Sequence, residues 1–408
     1  MAALHLTIAW CKARGLPPPR AATVDHGLRK GSAAEARRVG DWARKLGIQH
    51  DILEWAGTKP IGNLQAAARD ARYELLGSWA RRHGIGSVIT GHTIDDQSET
   101  LLIRLARGSG LDGLSGMAAK ACFPLRGYED IALLRPLLSF SHARLTQTLR
   151  ATKQKWIEDP SNDAERFTRV KMRAARKTLE GAGLTPERLA ETASHLRRAR
   201  EAIDFAVDQL LAETVDMNAW GYAILRQRQL GAAPAEIALR ALARVTVAVA
   251  GEAYPPRFDA LEGLYQWLAG AEEPRGRTLG GCRIVRRDDG AILFARESAA
   301  IGAVVTLRPD EQKIWDGRFR VAIASSAPSS GVVKALGADG LAVVGRSAIL
   351  PPVEPHLIAA TSPALWTGPR LLAAPLVRYL APGASPFGFS AIFLGLAKGK
   401  GAAKGNSL

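Results

Sequence analysis

The sequence predicts an α/β fold: a doubly wound, mostly parallel sheet, followed by a helical second domain and a small C-terminal β or α+β domain. Three observations predict it. Over the first part of the chain, short β-branched or apolar runs alternate with amphipathic helical patterns, which builds a parallel sheet covered by helices. From about Thr185, apolar residues recur at helical spacing over long stretches, with arginines between them. Beyond residue 270 the chain becomes rich in Gly, Pro and Ala, with short β-leaning pieces. These shifts divide the chain into 1–183, 184–270 and 271–397, with 398–408 a basic tail too poor in apolar residues to order.

Residues 4 to 15 carry Leu4, Ile8 and Cys11 on one helical face. Gly15 stands where a C-cap glycine belongs, and Pro17-Pro18-Pro19 forbids continuation. Ala21-Ala22-Thr23-Val24-Asp25 reads as a buried strand, leading through His26-Gly27-Leu28-Arg29 to a helix from about Ser32 to Leu46. Ser32 and Glu35 have capping-box spacing. Ile48 to Trp55 is the next strand, and Asn63 is expected to cap a long helix whose apolar face is Leu64, Ala68, Ala71, Leu75 and Trp79. A strand through Val88-Ile89-Thr90 stops at Gly91, and helical spacing resumes at Leu101, Leu102 and Leu105. Four glycines between Gly108 and Gly116 read as a flexible loop, and Ile131 to Leu138 as a buried apolar run. An α/β unit of this kind should open with a strand and a phosphate-gripping turn, yet this chain opens inside a helix. That strand and turn are therefore expected to lie outside the reading frame given.

Further along, Arg166, Arg169, Lys171 and Arg173 cluster around Phe167, which suits either an RNA backbone or a solvated basic helix. Pro186 sits in a helical first turn, and Leu189, Thr192, Ala193, Leu196 and Ile203 form a stripe with Arg197, Arg198 and Arg200 interleaved. The helical signal runs to about Ala269. Thr278 to Arg287 and Ala291 to Ala295 then read as two strands joined at Asp288-Asp289-Gly290, and Phe319 to Ala324 and Leu341 to Val344 as β-leaning pieces.

The net charge of +16, with a pI near 10.1, is the strongest compositional signal and favours a polyanionic partner, nucleic acid ahead of membrane. No apolar run approaches the roughly 20 residues of a membrane span, and no signal peptide opens the chain, so a cytoplasmic location is expected. Cys11, Cys122 and Cys282 are odd in number and far apart, which excludes a disulfide framework or a CxxC site. Nothing in the composition fixes the oligomeric state.

The chemistry-bearing stretch is Gly91-His92-Thr93-Ile94-Asp95-Asp96-Gln97-Ser98-Glu99. It stands where a strand ends and a helix begins, the place where open parallel sheets bind ligands. Asp96 and Glu99 share a helix face, so with Asp95 and His92 they could hold magnesium on ATP or receive an ammonium group. Equally, Asp95 and Asp96 could do no more than complement the positive helix end.

The ordered set VDHGLR (Val24 to Arg29), SAAEA, NLQAAARDARY (Asn63 to Tyr73), GHTIDDQSET, RGSGLDGLSGM (Arg107 to Met117), RPLL and EDPSN (Glu158 to Asn162) resembles the tRNA(Ile)-lysidine synthase family from the first residue to about 180. The resemblance implies an N-type ATP pyrophosphatase fold, with ATP and Mg2+ as cofactors and the CAU-anticodon isoleucine tRNA and free L-lysine as partners. It implies a nucleotide pocket at Asp25, His26 and Gly91, and Arg69 and Arg72 stabilising charge on phosphate. It also implies His92 and Asp96 in catalysis, Asp95, Asp96 and Glu99 handling metal and the lysine amine, and Arg166, Arg169, Lys171 and Arg173 meeting tRNA. Two departures stand out. The family's Ser-Gly-Gly-x-Asp-Ser loop is not among these residues, which makes a tRNA-binding remnant that activates nothing the alternative expectation. Arg169-Val170-Lys171-Met172-Arg173 stands where many members have Arg-Asn-Arg-Ile-Arg. A sulfur-inserting relative is disfavoured because paired cysteines are lacking.

Overall fold

The computed structural model describes residues 1–408 apart from 30, 58, 61, 63, 126, 129, 158–174, 253, 271–275, 346–347, 384–387 and 397–408. Backbone contacts divide the chain into residues 1–202 and 203–408. Among the described residues no helix is long and apolar enough to cross a membrane.

In the first unit, α1 (Ala2–Ala13) ends at the expected Gly15, whose φ of +65° lets the chain turn away. Ala2 packs with Leu137, Leu145 and Leu149. Strand β1 (Ala21–Asp25) pairs in parallel with β2 (His50–Glu54), Asp25 lying opposite Glu54, and α2 (Ser32–Lys45) connects them. The expected Ser32–Glu35 capping box does not form. Gly31 is the cap, with φ at +97°, while Glu35 is drawn into a bidentate pair with Arg29 and the Ser32 hydroxyl goes to Asp25. Helix α3 (Leu64–Arg82) buries Tyr73, Leu76, Gly77, Trp79 and Ala80, so the face expected at Leu64, Ala68, Ala71 and Leu75 stays half-exposed. The rotation follows from what meets the helix: Phe123 and Tyr128 lie against Gly77, and Trp79 donates its indole N–H to Asp51 at 2.8 Å. Asn63 lies outside the described residues.

Strand β3 (Ser87–Ile89) leads into α4 (Ile94–Leu105), and a further helical turn, α5 (Leu111–Leu114), forms within the glycine-rich segment expected to be loop throughout. Strand β4 (Lys120–Cys122) runs antiparallel to β5 (Ala132–Leu134), which is parallel to β3. Ile131 and Leu133 are buried as expected. Two hydrogen-bonded ladders result, β1–β2 and β3–β5–β4, sharing one core in which Leu53, Val88 and Leu133 meet Tyr73, Leu76 and Trp79 of α3. After α6 (His142–Ala151) and α7 (Arg176–Gly181), α8 (Pro186–Thr214) begins on the expected proline and seats Leu189 and Ala193 against Leu101. Arg200, one of the arginines interleaved with the stripe, is 8% exposed.

In the second unit, the expected unbroken helical signal is interrupted by β6 (Val215–Met217) and β7 (Ala223–Arg226), ahead of α9 (Gln227–Ala232), α10 (Ala235–Ala250) and α11 (Phe258–Ala269). The reading Thr278 to Arg287 as one strand is also corrected. Gly280 and Gly281, both at positive φ, fold it into β8 (Gly276–Leu279) and β9 (Cys282–Arg286), while the turn before β10 (Ala291–Arg296) falls where expected. These strands make one antiparallel sheet, β6–β7–β10–β9–β8, so β7 and β10 pair across residue 270. Leu242, Val245 and Val249 of α10 and Leu264 of α11 cover it.

The rest of this unit holds a sheet built of β11 (Val305–Leu307), β14 (Gly331–Ala335), β15 (Pro363–Thr367), β16 (Arg370–Ala374) and β17 (Tyr379–Leu380). Beside it stand the three strands β12 (Gln312–Trp315), β13 (Phe319–Ala322) and β18 (Ser390–Phe393). Leu341 to Val344, expected to lean to β, lie in helix α12 (Gly337–Val344), where Val344 and Leu341 turn one face onto Trp366 and Leu371; α13 (Pro355–Ala360) follows. The two halves of the unit are joined by a buried ion network. Asp316 accepts from Arg296 at 2.8 and 3.1 Å and from Arg318 at 2.6 Å, and Arg318 also reaches the Thr361 carbonyl at 2.7 Å. Burial pushes the Arg318 guanidinium down to about 10 in spite of Asp316. Gly251, with φ at +75°, ends α10 so close beneath this turn that a Cβ there would lie 2.0 Å from the Asp316 carbonyl.

Removing the single anion leaves two buried guanidinium groups uncompensated. Asp316→Asn should therefore cost about 3 kcal/mol in urea unfolding. Asp259→Asn, which loses only an exposed contact to Arg257, should stay within about 0.5 kcal/mol. Equal midpoints for the two variants would show that the network contributes nothing.

Candidate functional site

Apart from Arg69 and Arg72, which stand on α3, the described residues singled out in the sequence fall at the carboxyl ends of β1 and β3. At the first, Asp25 is 8% exposed and its Oδ1 accepts the Gly27 amide at 2.9 Å. Burial pushes its carboxyl up, but the Gly27 amide, the Ser32 hydroxyl and the neighbouring His26 and Arg29 outweigh this and hold it below the usual range. The Trp55 amide donates to the Asp25 carbonyl at 2.9 Å, tying the end of β2 to that of β1. His26 stands edge-on to Trp55, ring centroids 5.9 Å apart. Lys59 lies 4.4 Å over the same indole and donates to the Trp55 carbonyl.

Arg72 reaches across from α3, its Nε and a terminal nitrogen 3.4 and 3.3 Å from His26 Nε2. A guanidinium only donates, so Nε2 carries the lone pair and the ring proton sits on Nδ1. Nδ1 is buried and has no hydrogen-bond partner. Burial, then the Arg72 charge, lower the imidazole pKa, which keeps the ring neutral. A buried N–H donor pre-set by a cation, beside an aromatic edge, suits an acceptor on a bound nucleotide. Arg69, three residues before Arg72, lies over Tyr73 at 5.0 Å.

At the second strand end, Thr93 caps α4. Its hydroxyl accepts from the Asp96 amide at 3.4 Å, and Asp96 Oδ2 accepts from both the Thr93 amide and the Thr93 hydroxyl at 2.8 Å. A capping box thus forms here, at Thr93 and Asp96, and not at Ser32 and Glu35 where the spacing suggested one. Asp95 Oδ2 accepts the His142 amide at 2.7 Å, and His92 Nδ1 lies 2.8 Å from the Thr90 hydroxyl. Glu99 is buried, at 8% exposure. Gly91 is exposed, and a Cβ there would touch only Ala3, at 3.6 Å.

Asp95, Asp96 and Glu99 thus point to separate tasks. Among the described residues no three His, Cys, Asp or Glu side chains converge to hold a metal ion. What fits the geometry is the sparse ligation of magnesium, one or two carboxylate oxygens with phosphates and water supplying the rest. Asp96 suits that role: Oδ2 is fixed by Thr93 while Oδ1 takes no partner among the described residues.

Trp55, Lys59 and Gln97 belong to this region and were missed in the sequence. Gln97 was within the motif but reads as a polar filler; Trp55 and Lys59 carry no local signal. Arg166, Arg169, Lys171 and Arg173, with EDPSN, lie outside the described residues.

Residues 1–177 match the model of the PP-loop domain family, an ATP-utilising domain. Among curated proteins the chain is similar to tRNA(Ile)-lysidine synthase of Ruegeria pomeroyi, 39% identical over 92% of this chain and 85% of the relative. It is also similar to the proteins of that name from Wolbachia pipientis wMel, 36% identical over 82% of this chain and 76% of the relative, and Methylobacterium nodulans, 43% identical over 65% and 79%.

His26 should titrate below the ordinary histidine midpoint of about 6.5 when followed by NMR. Because the folded state binds the proton more weakly than the unfolded chain, stability from this group is present above that midpoint and is lost as pH falls through the lowered one. Arg72→Gln should move the midpoint upward without restoring it fully, since burial remains. An unmoved midpoint would break the Arg72–His26 link.

Proposed function

The chain belongs to the tRNA(Ile)-lysidine synthase family, and we propose that it ligates free L-lysine to C2 of the wobble cytidine in the CAU-anticodon isoleucine tRNA. The similarity over 92% of the chain is what carries this reading, and the two strand ends supply groups suited to its chemistry. The C2 oxygen of cytidine attacks the α-phosphorus of ATP and pyrophosphate leaves. The ε-amino nitrogen of lysine then attacks C2, and AMP departs with that oxygen while the nitrogen gives up a proton.

In this reading Asp25, the His26 Nδ1 proton and the open Gly91 backbone hold the nucleotide. Arg69 and Arg72 face the charge that builds on phosphate as pyrophosphate leaves, where a preorganised cation is most effective. Asp96, steadied through Oδ2, presents Oδ1 to magnesium or to the incoming ammonium, with Asp95, Glu99 and His92 completing the surroundings. Magnesium would supply charge neutralisation between the phosphates. The basic run Arg166, Arg169, Lys171 and Arg173, with segment 184–270, is assigned to tRNA, and the reaction to the cytoplasm.

The test is pyrophosphate release from ATP by the purified protein expressed from its own gene. Release should require both lysine and the CAU-anticodon tRNA, and release without either would overturn the proposal. Arg72→Ala should lower turnover at least about 100-fold, the scale of losing one transition-state donor. Neutralising Arg169, Lys171 and Arg173 together should weaken tRNA binding and flatten its salt dependence by up to about three units of slope. An unchanged slope would place the RNA elsewhere.

A further inference from the structure

Gln97 follows Asp96 in α4 and is 4% exposed. Its amide is fully engaged with one backbone residue: Nε2 donates to the Met117 carbonyl at 2.9 Å and Oε1 accepts the Met117 amide at 2.7 Å. This is the pairing a neighbouring strand would offer, made by one side chain. Gly116 completes the fit. Its φ is +64°, and a Cβ there would lie 2.9 Å from both polar atoms of the Gln97 amide.

The segment so clamped is the glycine-rich one, and arginines converge on it. Arg104 donates to the Gly113 carbonyl at 2.7 Å, Arg200 to the Ser115 hydroxyl at 2.5 Å, Arg197 to the Met117 carbonyl at 3.1 Å and Arg135 to the Ala118 carbonyl at 3.0 Å. Arg197 also lies 3.9 Å from Glu201. Arg104 is half-buried, and burial, then the charges of Arg69 and Arg200, lower its pKa. Four guanidinium groups spending donors on one six-residue stretch give it a positive setting that suits phosphate.

We propose that Gln97 is a positioning residue for the RNA substrate. It locks residues 113–118 onto the helix that carries Asp96, so that this segment, held by arginines from other elements, meets the tRNA backbone in fixed register with the reacting carboxylate. The inference rests on the lysidine synthase reading and adds to it a specific anchor for RNA. Uncoupling the clamp loosens RNA engagement and leaves the pockets for ATP and lysine intact.

The experiment is a set of variants, Gln97→Ala, Gln97→Glu, Gly116→Ala and the Gln97→Ala/Gly116→Ala double, measured by tRNA filter binding at fixed salt and by KM for each substrate. Gln97→Ala should weaken tRNA binding about tenfold, the scale of two lost hydrogen bonds, and raise KM for tRNA alike. KM for ATP and lysine should stay within about twofold. Gln97→Glu keeps the acceptor for the Met117 amide but faces the Met117 carbonyl with oxygen, so it should not rescue. Gly116→Ala should show the same split, and the double variant should bind no more weakly than the worse single, because both break one clamp.

A merely structural glutamine would reduce the folded fraction, lowering kcat with every KM unchanged, and that outcome overturns the proposal. So does additive loss in the double variant, or wild-type tRNA binding by Gln97→Glu. If Gln97→Ala alone binds tRNA as wild type does, the role of Gln97 falls while the lysidine synthase reading stands. If the wild-type protein itself binds no tRNA, that reading falls and this one with it.

Discussion

The first unit depends on how α4 is started. A helix N-terminus leaves backbone amides without partners, and here it stands at the end of a parallel strand. Thr93 and Asp96 resolve this by satisfying each other's amides. Everything downstream takes its position from that start. Gln97 reaches Met117, Leu101 meets Leu189 and Ala193, and Arg104 reaches Gly113, all from one rigid helix. A site on a helix start is stiffer than one on a loop, and ligation at a single carboxylate oxygen needs that stiffness.

The two readings of the acidic turn that the sequence left open are therefore not rivals. In the proposed function, complementing the helix end and serving chemistry fall to different oxygens of the same side chain. Asp96 Oδ2 braces, and the bracing fixes where Oδ1 points. The same division occurs at His26, where the interaction of Nε2 with Arg72 decides which nitrogen keeps the proton. In both cases a structural contact sets the state of the functional atom, which is why sequence patterns signal the residue but not the atom.

Legibility in the sequence followed the range of the deciding interaction. Asp25 at a strand end, Gly15 after α1, Pro186 opening α8 and the turn at Asp289-Gly290 are local rules, and each lies where the pattern put it. The failures are non-local. Ser32 and Glu35 had the right spacing for a box, but Asp25 and Arg29, brought close by the turn after β1, compete for them. The face of α3 was turned by Phe123 and Tyr128, some fifty residues away. Short strands β6 and β7 sit inside a helical pattern because β10, far along the chain, supplies their pairing. Leu341 to Val344 are apolar enough for a strand, yet Trp366 and Leu371 offer them a helix-shaped face.

Charge gives the last step. Residues 1–202 carry 33 Lys and Arg against 21 Asp and Glu, whereas residues 203–408 carry 22 against 18, so the positive excess lies mainly with the PP-loop part. Much of that excess is not free surface. Arg135 and Arg200 are buried, Arg104 is half-buried, and their donors go to carbonyls and a hydroxyl of the glycine-rich segment. Bonds to neutral acceptors hold these side chains still. The ordering cost of these side chains is met during folding, and their positions follow from the backbone they grip. Basic composition alone attracts RNA anywhere on a protein; in the proposed reading, fixed arginines beside a braced carboxylate direct it to one place.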